Sequence, residues 1–125
     1  MSQGPFVSID HVQLAMPPGE EDAARKFYRD LLGMVEILKP ADLAKRGGVW
    51  FQCDRVQIHL GVEDNFQPAK KAHPALKCTD YYALVKKLRA SGTEICEDHS
   101  IPGVTRCHIF DCFGNRIELI ASQNV

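Results

Sequence analysis

The chain has 125 residues, 45% of them apolar and 25% charged, with a net charge of −1, which is the profile of one compact domain spanning 1–125. No basic block offers a footprint for nucleic acid or an anionic membrane surface. No apolar run approaches the roughly 20 residues of a membrane span, and the opening MSQGPFVSIDH lacks the charged and apolar regions of a signal peptide.

The elements repeat along the chain. DHVQLAM (10–16) is a short strand that opens with His11 close to its start. After the loop Pro17–Gly19, the residues Ala24, Phe27, Tyr28 and Leu31 fall at i, i+3, i+4 and i+7, the spacing of an amphipathic helix. Gly33 follows as a C-cap. FQCDRVQIHL (51–60) reads as two strands joined by a short turn. EDNFQPAKKA (63–72) is polar, contains a proline and has no helical period, as a linker would. The order then begins again, with AHPALKC (72–78) opening on His73. Tyr81, Leu84, Val85 and Leu88 make the second helix, Gly92 caps it, and TRCHIF and FDCFGNRIEL (110–119) close the chain. Aligned without gaps at an offset of 59, the two hairpins share Phe51/Phe110, Cys53/Cys112, Ile58/Ile117 and Leu60/Leu119, with His59 opposite Glu118.

These observations predict an α+β domain of two modules, about 6–62 and 72–121, joined by linker 63–71. Each module runs strand, helix, then two or three strands. Two such sheets can curve together around a cavity on the faces opposite the helices. Strand alternation then assigns the side chains. Ile117 and Leu119 turn to the helix, and Glu118 turns away. Ile58 and Leu60 pack inward, while Gln57 and His59 share the other face. Arg106, His108 and Phe110 share one face, and Cys107 and Ile109 the other. The five cysteines, Cys53, Cys78, Cys96, Cys107 and Cys112, are odd in number and include no CxxC. With no secretion signal they read as reduced, mostly buried thiols of a cytoplasmic protein.

A carboxylate in the apolar run RIELI is costly unless a cation pairs it. The repeat supplies four places with metal-ligand chemistry: His11 and His59 in the first half, His73 and Glu118 in the second. Imidazoles with a carboxylate suit Zn, Fe, Mn, Ni or Co. A single histidine or glutamate in a strand is more often solvated or hydrogen-bonded than ligating. The four together point to a metal, since they take three of the chain's five histidines.

IDHVQLAMP, ARKFYRDLLGM and FDCFGNRIELI resemble motifs of the vicinal oxygen chelate superfamily. This is the group of glyoxalase I, extradiol dioxygenases, fosfomycin-resistance thiol transferases and bleomycin-binding resistance proteins. The last stretch is close to the family's DPxGNxxEL ending, and the similarity spans nearly all of 6–121. It implies paired βαβββ modules, curved mixed sheets around a divalent-metal cleft, and a homodimer that completes the cleft. On that resemblance His11, His73 and Glu118 match the family's His-His-Glu ligand set, with His11 near the partner subunit's His73 and Glu118. His59 stands where glyoxalase I has a glutamate that is both ligand and base, which implies a fourth ligand, a group that supports a ligand, or an acid/base. His108 would carry a proton and Arg106 would hold an anionic substrate.

The activity implied is that of a metal-dependent isomerase, lyase, dioxygenase or thiol transferase on a small vicinal-oxygen substrate. The alternative is a non-catalytic small-molecule or antibiotic-binding protein of the bleomycin-resistance type. A third reading is a structural domain with a closed four-ligand site. His99 reads as a loop residue, Trp50, Tyr81 and Tyr82 as core or half-core aromatics, and Lys70 and Lys71 as solvated linker charges.

Overall fold

The computed structural model describes residues 4–122; positions 1–3, part of the N-terminal stretch read for a leader, and 123–125 lie outside it. The first module runs β1 (Val12–Met16), α1 (Glu21–Ala24) continuing directly into a π-helical stretch (Arg25–Leu31), β2 (Val35–Ile37), α2 (Ala41–Ala44), β3 (Val49–Cys53) and β4 (Val56–Val62). The second runs β5 (Ala75–Cys78), α3 (Tyr81–Ala90), β6 (Ile95–Glu97), β7 (Arg106–Phe110) and β8 (Arg116–Ala121). Two four-stranded mixed sheets result, ordered β1-β4-β3-β2 and β5-β8-β7-β6. In each, the opening strand lies parallel to the last strand, and the other neighbours are antiparallel. This is the expected pair of βαβββ modules, with the short α2 added to the first. The two sheets do not close into a barrel, and β1 and β5 remain edge strands. Among the described residues no helix is long and apolar enough to cross a membrane.

Alternation places the core as the sequence pattern requires. Phe51, Ile58 and Leu60 are buried with Phe27 and Tyr28, and Tyr28 stacks on Phe51 with ring centroids 5.4 Å apart. In the second module Cys107, Ile109, Ile117 and Leu119 are buried with Tyr81, Val85 and Leu88 of the helix. Gly33 and Gly92 sit at φ +77 and +85, a region that a Cβ makes costly. At the end of α3, Thr93 N–H donates to Leu88 O and Gly92 N–H to Arg89 O, the paired bonds of a Schellman cap.

The ungapped hairpin alignment needs one correction. Phe51 pairs with Ile58, but the partner of Ile117 is Ile109, not Phe110. Ile109 is fully buried like Phe51, while Phe110 is only half-buried. The cause is turn length. Cys53 and Val56 pair across a two-residue turn, whereas Asp111 N–H donates to Asn115 O across three. The offset is therefore 58 before the turn and 59 after it, and Asp111, not Cys112, matches Cys53.

That longer turn ties the modules together. Asp111 Oδ1 accepts from the backbone N–H of Phe113 and Asn115 at 2.9 and 2.8 Å. Its Oδ2 accepts from Tyr28 OH at 2.6 Å and from Asn115 Nδ2 at 3.1 Å. Asn115 also donates to Ala15 O in β1 at 2.8 Å and accepts from Ala69 N–H at 3.0 Å. One buried Asp–Asn pair thus holds the helix, first strand and linker against the second module.

Two expectations fail. Cys53, Cys96 and Cys112 are exposed, and only Cys107 is buried. Cys53 and Cys112 lie at the hairpin ends, and Cys96 is on the short outer strand β6, where chain geometry leaves little to cover them. Tyr82 is exposed rather than half-core, because α3 turns Tyr81, its neighbour, inward.

Candidate metal centre

Glu118 lies on β8, the strand between β5 and β7, directly across from His108 and Ala75. Its neighbours Ile117 and Leu119 fill the core, so alternation turns the carboxylate to the opposite face, where it is nevertheless buried. His73, just before β5, comes in beside it, and Glu118 N–H donates to Pro74 O at 2.9 Å. One donor atom from each of His73, His108 and Glu118 lies within 4.8 Å of the others. Glu118 Oε1 is 3.1 Å from His73 Nε2 and 3.7 Å from His108 Nε2. Metal–ligand bonds of about 2.0–2.2 Å at tetrahedral angles would space donors by roughly 3.4 Å, between those two distances.

Tautomer chemistry limits what can lie between His73 and Glu118. His73 Nδ1 lies 2.7 Å from the Lys71 carbonyl oxygen, which requires the proton on Nδ1. A neutral His73 then presents its Nε2 lone pair to a carboxylate oxygen, and two acceptors at that range need a proton or a metal ion between them. The other oxygen of Glu118 is already occupied, because Arg106 Nη1 donates to Oε2 at 2.8 Å. Arg106 Nη2 donates to Asp98 Oδ2 and Ser100 Oγ, each at 2.9 Å. Its Nε is buried without a hydrogen-bond partner among the described residues. Glu118 therefore has one free oxygen, aimed at the two histidines. Burial alone would raise its pKa, but the Arg106 hydrogen bond and charge hold it below the ordinary carboxylate range. Burial, reinforced by the Arg116 charge, lowers the His108 imidazole pKa, so at neutral pH it is a proton acceptor.

The first module carries a different arrangement on the equivalent face. His59, on β4, pairs across with Trp50 of β3 and Gln13 of β1. Its ring is stacked between two others. Trp50 lies 3.8 Å away at 6°, and His11 lies 4.0 Å away at 12°. His59 is buried, and its Nε2 lies 3.1 Å from Gln57 Oε1. Burial first, then the neighbouring His11, lowers its pKa. His11 Nδ1 lies 2.9 Å from Asp10 Oδ2, leaving Nε2 outward on a half-exposed ring.

Of the residues singled out in the sequence, then, the structure brings His73, Glu118, His108 and Arg106 together. It groups His11 with His59 away from that cluster. His11 and His73 do line one open cavity of about 680 Å³ between β1 and β5, with Gln57, Ala75 and Asn115. His99 lies in an exposed loop, 3.5 Å from Glu97. Four contributors were missed. Trp50 carried no signal beyond being aromatic. Asp98 and Ser100 sit in a loop whose return onto Arg106 has no sequence period. The Lys71 contribution is a backbone carbonyl, which composition cannot reveal.

The sequence pattern of the Glyoxalase/Bleomycin resistance protein/Dioxygenase superfamily matches residues 8–119. No curated protein matches the chain. Among solved structures, a protein from Bacillus anthracis described as glyoxalase family is 46% identical, with a TM-score of 0.92, over 98% of this chain and 100% of that one. The fosfomycin resistance protein FosX from Listeria monocytogenes shares the fold at 16% identity and a TM-score of 0.73, over 95% and 96% of the two chains. A lactoylglutathione lyase from Agrobacterium tumefaciens does so at 21% and 0.68, again over 95% and 96%.

Proposed function

The chain belongs to the Glyoxalase/Bleomycin resistance protein/Dioxygenase superfamily, and from that premise we propose that it is a divalent-metal-dependent enzyme acting on a small molecule with adjacent oxygen atoms. The observation that carries this reading is the approach of His73 Nε2 to Glu118 Oε1 while His73 Nδ1 is committed to a carbonyl and Glu118 Oε2 to Arg106. In this proposal His73 and Glu118 are two ligands for Zn, Fe, Mn, Ni or Co. His11 of a second copy is the third, since its Nδ1 is anchored in the same way as that of His73. When bound, such a cation polarises a substrate oxygen and stabilises charge developing on it.

The remaining groups have separate tasks. Arg106 holds Glu118 to a single free oxygen and keeps it ionised. His108, buried, neutral and on the same face, takes a proton from the substrate and returns it. A substrate anion would find Arg106 at the edge of the site. Fosfomycin and lactoylglutathione, the compounds in the names of those two proteins of the same fold, are the first to screen.

Calorimetric titration of Zn²⁺ and Mn²⁺ into wild type and into His11→Ala, His73→Ala, Glu118→Ala and His108→Gln tests the assignment. The first three alanine variants should lose binding, and His108→Gln should keep binding but lose turnover. Unchanged affinity in both His73→Ala and Glu118→Ala would overturn it. Retention in His11→Ala with loss in His108→Gln would move the third ligand to His108. A second reading, a small-molecule binding protein without catalysis, is favoured by the 680 Å³ cavity between β1 and β5, a size that suits a drug-sized ligand. Tight ligand binding by metal-free protein would support it.

A further inference from the structure

The stack on the first module separates the roles open to His59. We infer that His59 is a positioning residue, wedged between Trp50 and His11 to fix the plane of the His11 ring, and not a metal ligand. Both faces of His59 are covered, by Trp50 at 3.8 Å and by His11 at 4.0 Å, with interplanar angles of only 6° and 12°. The Gln57 carbonyl oxygen 3.1 Å from Nε2 requires a proton on that nitrogen, which takes its lone pair away from metal binding. The ring is buried and lies outside the His73–His108–Glu118 convergence.

What the stack does is constrain His11. That residue comes before β1 begins at Val12, so no strand pairing holds it. Asp10 fixes one ring nitrogen, but a single hydrogen bond to an exposed carboxylate leaves the ring free to rotate about it. The face of His59 removes that freedom. Trp50 in turn backs His59, so the plane of the stack is set by a half-buried residue in the middle of the sheet, paired on β3 with His59. Pre-setting a ligand ring in this way lowers the ordering cost of binding.

The inference rests on His11 being a ligand for its consequence in metal affinity, but not for the stack itself. Two variants separate the roles. His59→Phe keeps a flat ring and has no nitrogen. His59→Gln keeps a polar side chain that can ligate and has no ring. Two measurements are made on each, with circular dichroism to establish folding. The first is the NMR signals of the His11 ring in metal-free protein, and the second is calorimetric Zn²⁺ affinity. Positioning predicts that His59→Phe keeps upfield-shifted His11 ring protons and binds Zn²⁺ within about threefold of wild type. His59→Gln should lose the shift and bind roughly 10–100-fold more weakly, the range found when a group supporting a metal ligand is removed. Loss of affinity in His59→Phe with retention in His59→Gln would overturn the inference in favour of ligation. Equal His11 shifts in wild type and His59→Gln would overturn the stack itself. If wild type binds no divalent ion, the enzyme proposal fails, and the His11 shifts still decide whether His59 positions the ring.

Discussion

The two modules occupy one backbone plan with opposite chemistry. On the central strand of each sheet, His59 and Glu118 hold the same place, and each looks across to a β-hairpin partner, Trp50 in the first module and His108 in the second. The opening strand of each is preceded by a histidine whose Nδ1 is tied to an oxygen. In the first module these places are filled by three stacked rings. In the second they are filled by two histidines, a carboxylate and an arginine. A repeat therefore preserves where side chains point without preserving what they do. One module packs an imidazole between two flat rings, and the other gathers a carboxylate, an arginine and two imidazoles.

The contrast is sharpest at Glu118. Glu118→Gln keeps the shape and hydrogen-bonding capacity but removes the charge, and should weaken Zn²⁺ binding by at least about 100-fold, beyond the usual effect of a supporting residue. Calorimetry checks this, and near-native affinity would dissolve the distinction between the modules. Next is the joint that holds them in register. Asn115→Ala removes three side-chain hydrogen bonds and leaves the Ala15 and Ala69 backbone groups unpaired. Urea denaturation should show a loss of about 2 kcal/mol. A smaller effect, roughly tenfold in metal affinity, is expected for Arg106→Met, which frees the second Glu118 oxygen. NMR titration of metal-free protein should show the Glu118 pKa moving up, because the hydrogen bond and charge that lower it are gone.

The smallest effect concerns Tyr28 beneath the joint. Burial, then the charge and hydrogen bond of Asp111, hold its phenol well above the usual range near 10. Its unfolded form ionises first, so the stability it contributes is present below about pH 10 and is lost as pH rises from there towards the folded-state value. Tyr28→Phe should cost about 1 kcal/mol at neutral pH and flatten that alkaline loss in denaturation curves.

Much of this architecture is legible without coordinates, because it depends on local rules. Period-two alternation puts Ile117 and Leu119 inside and Glu118 on the other face. Helical spacing puts Phe27, Tyr28, Val85 and Leu88 against the sheets, and glycine at Gly33 and Gly92 supplies the left-handed caps. The repeat pairs His11 with His73 and His59 with Glu118, and so marks both faces where chemistry is concentrated. What alternation does not carry is distance between segments far apart in the chain. A turn longer by one residue moved Asp111 into the place that an ungapped alignment gives to Cys112. The loop holding Asp98 and Ser100 returns to Arg106 with no periodic trace. Alternation puts His108 on one face with Arg106, and the resemblance groups His73 with Glu118, but packing decided how closely the three meet and that His11 lies flat on His59 instead. The identity of a residue sets what it can bind, but only the closeness of others to it, through burial, shared hydrogen bonds and occupied ring faces, sets which of those bonds remain open.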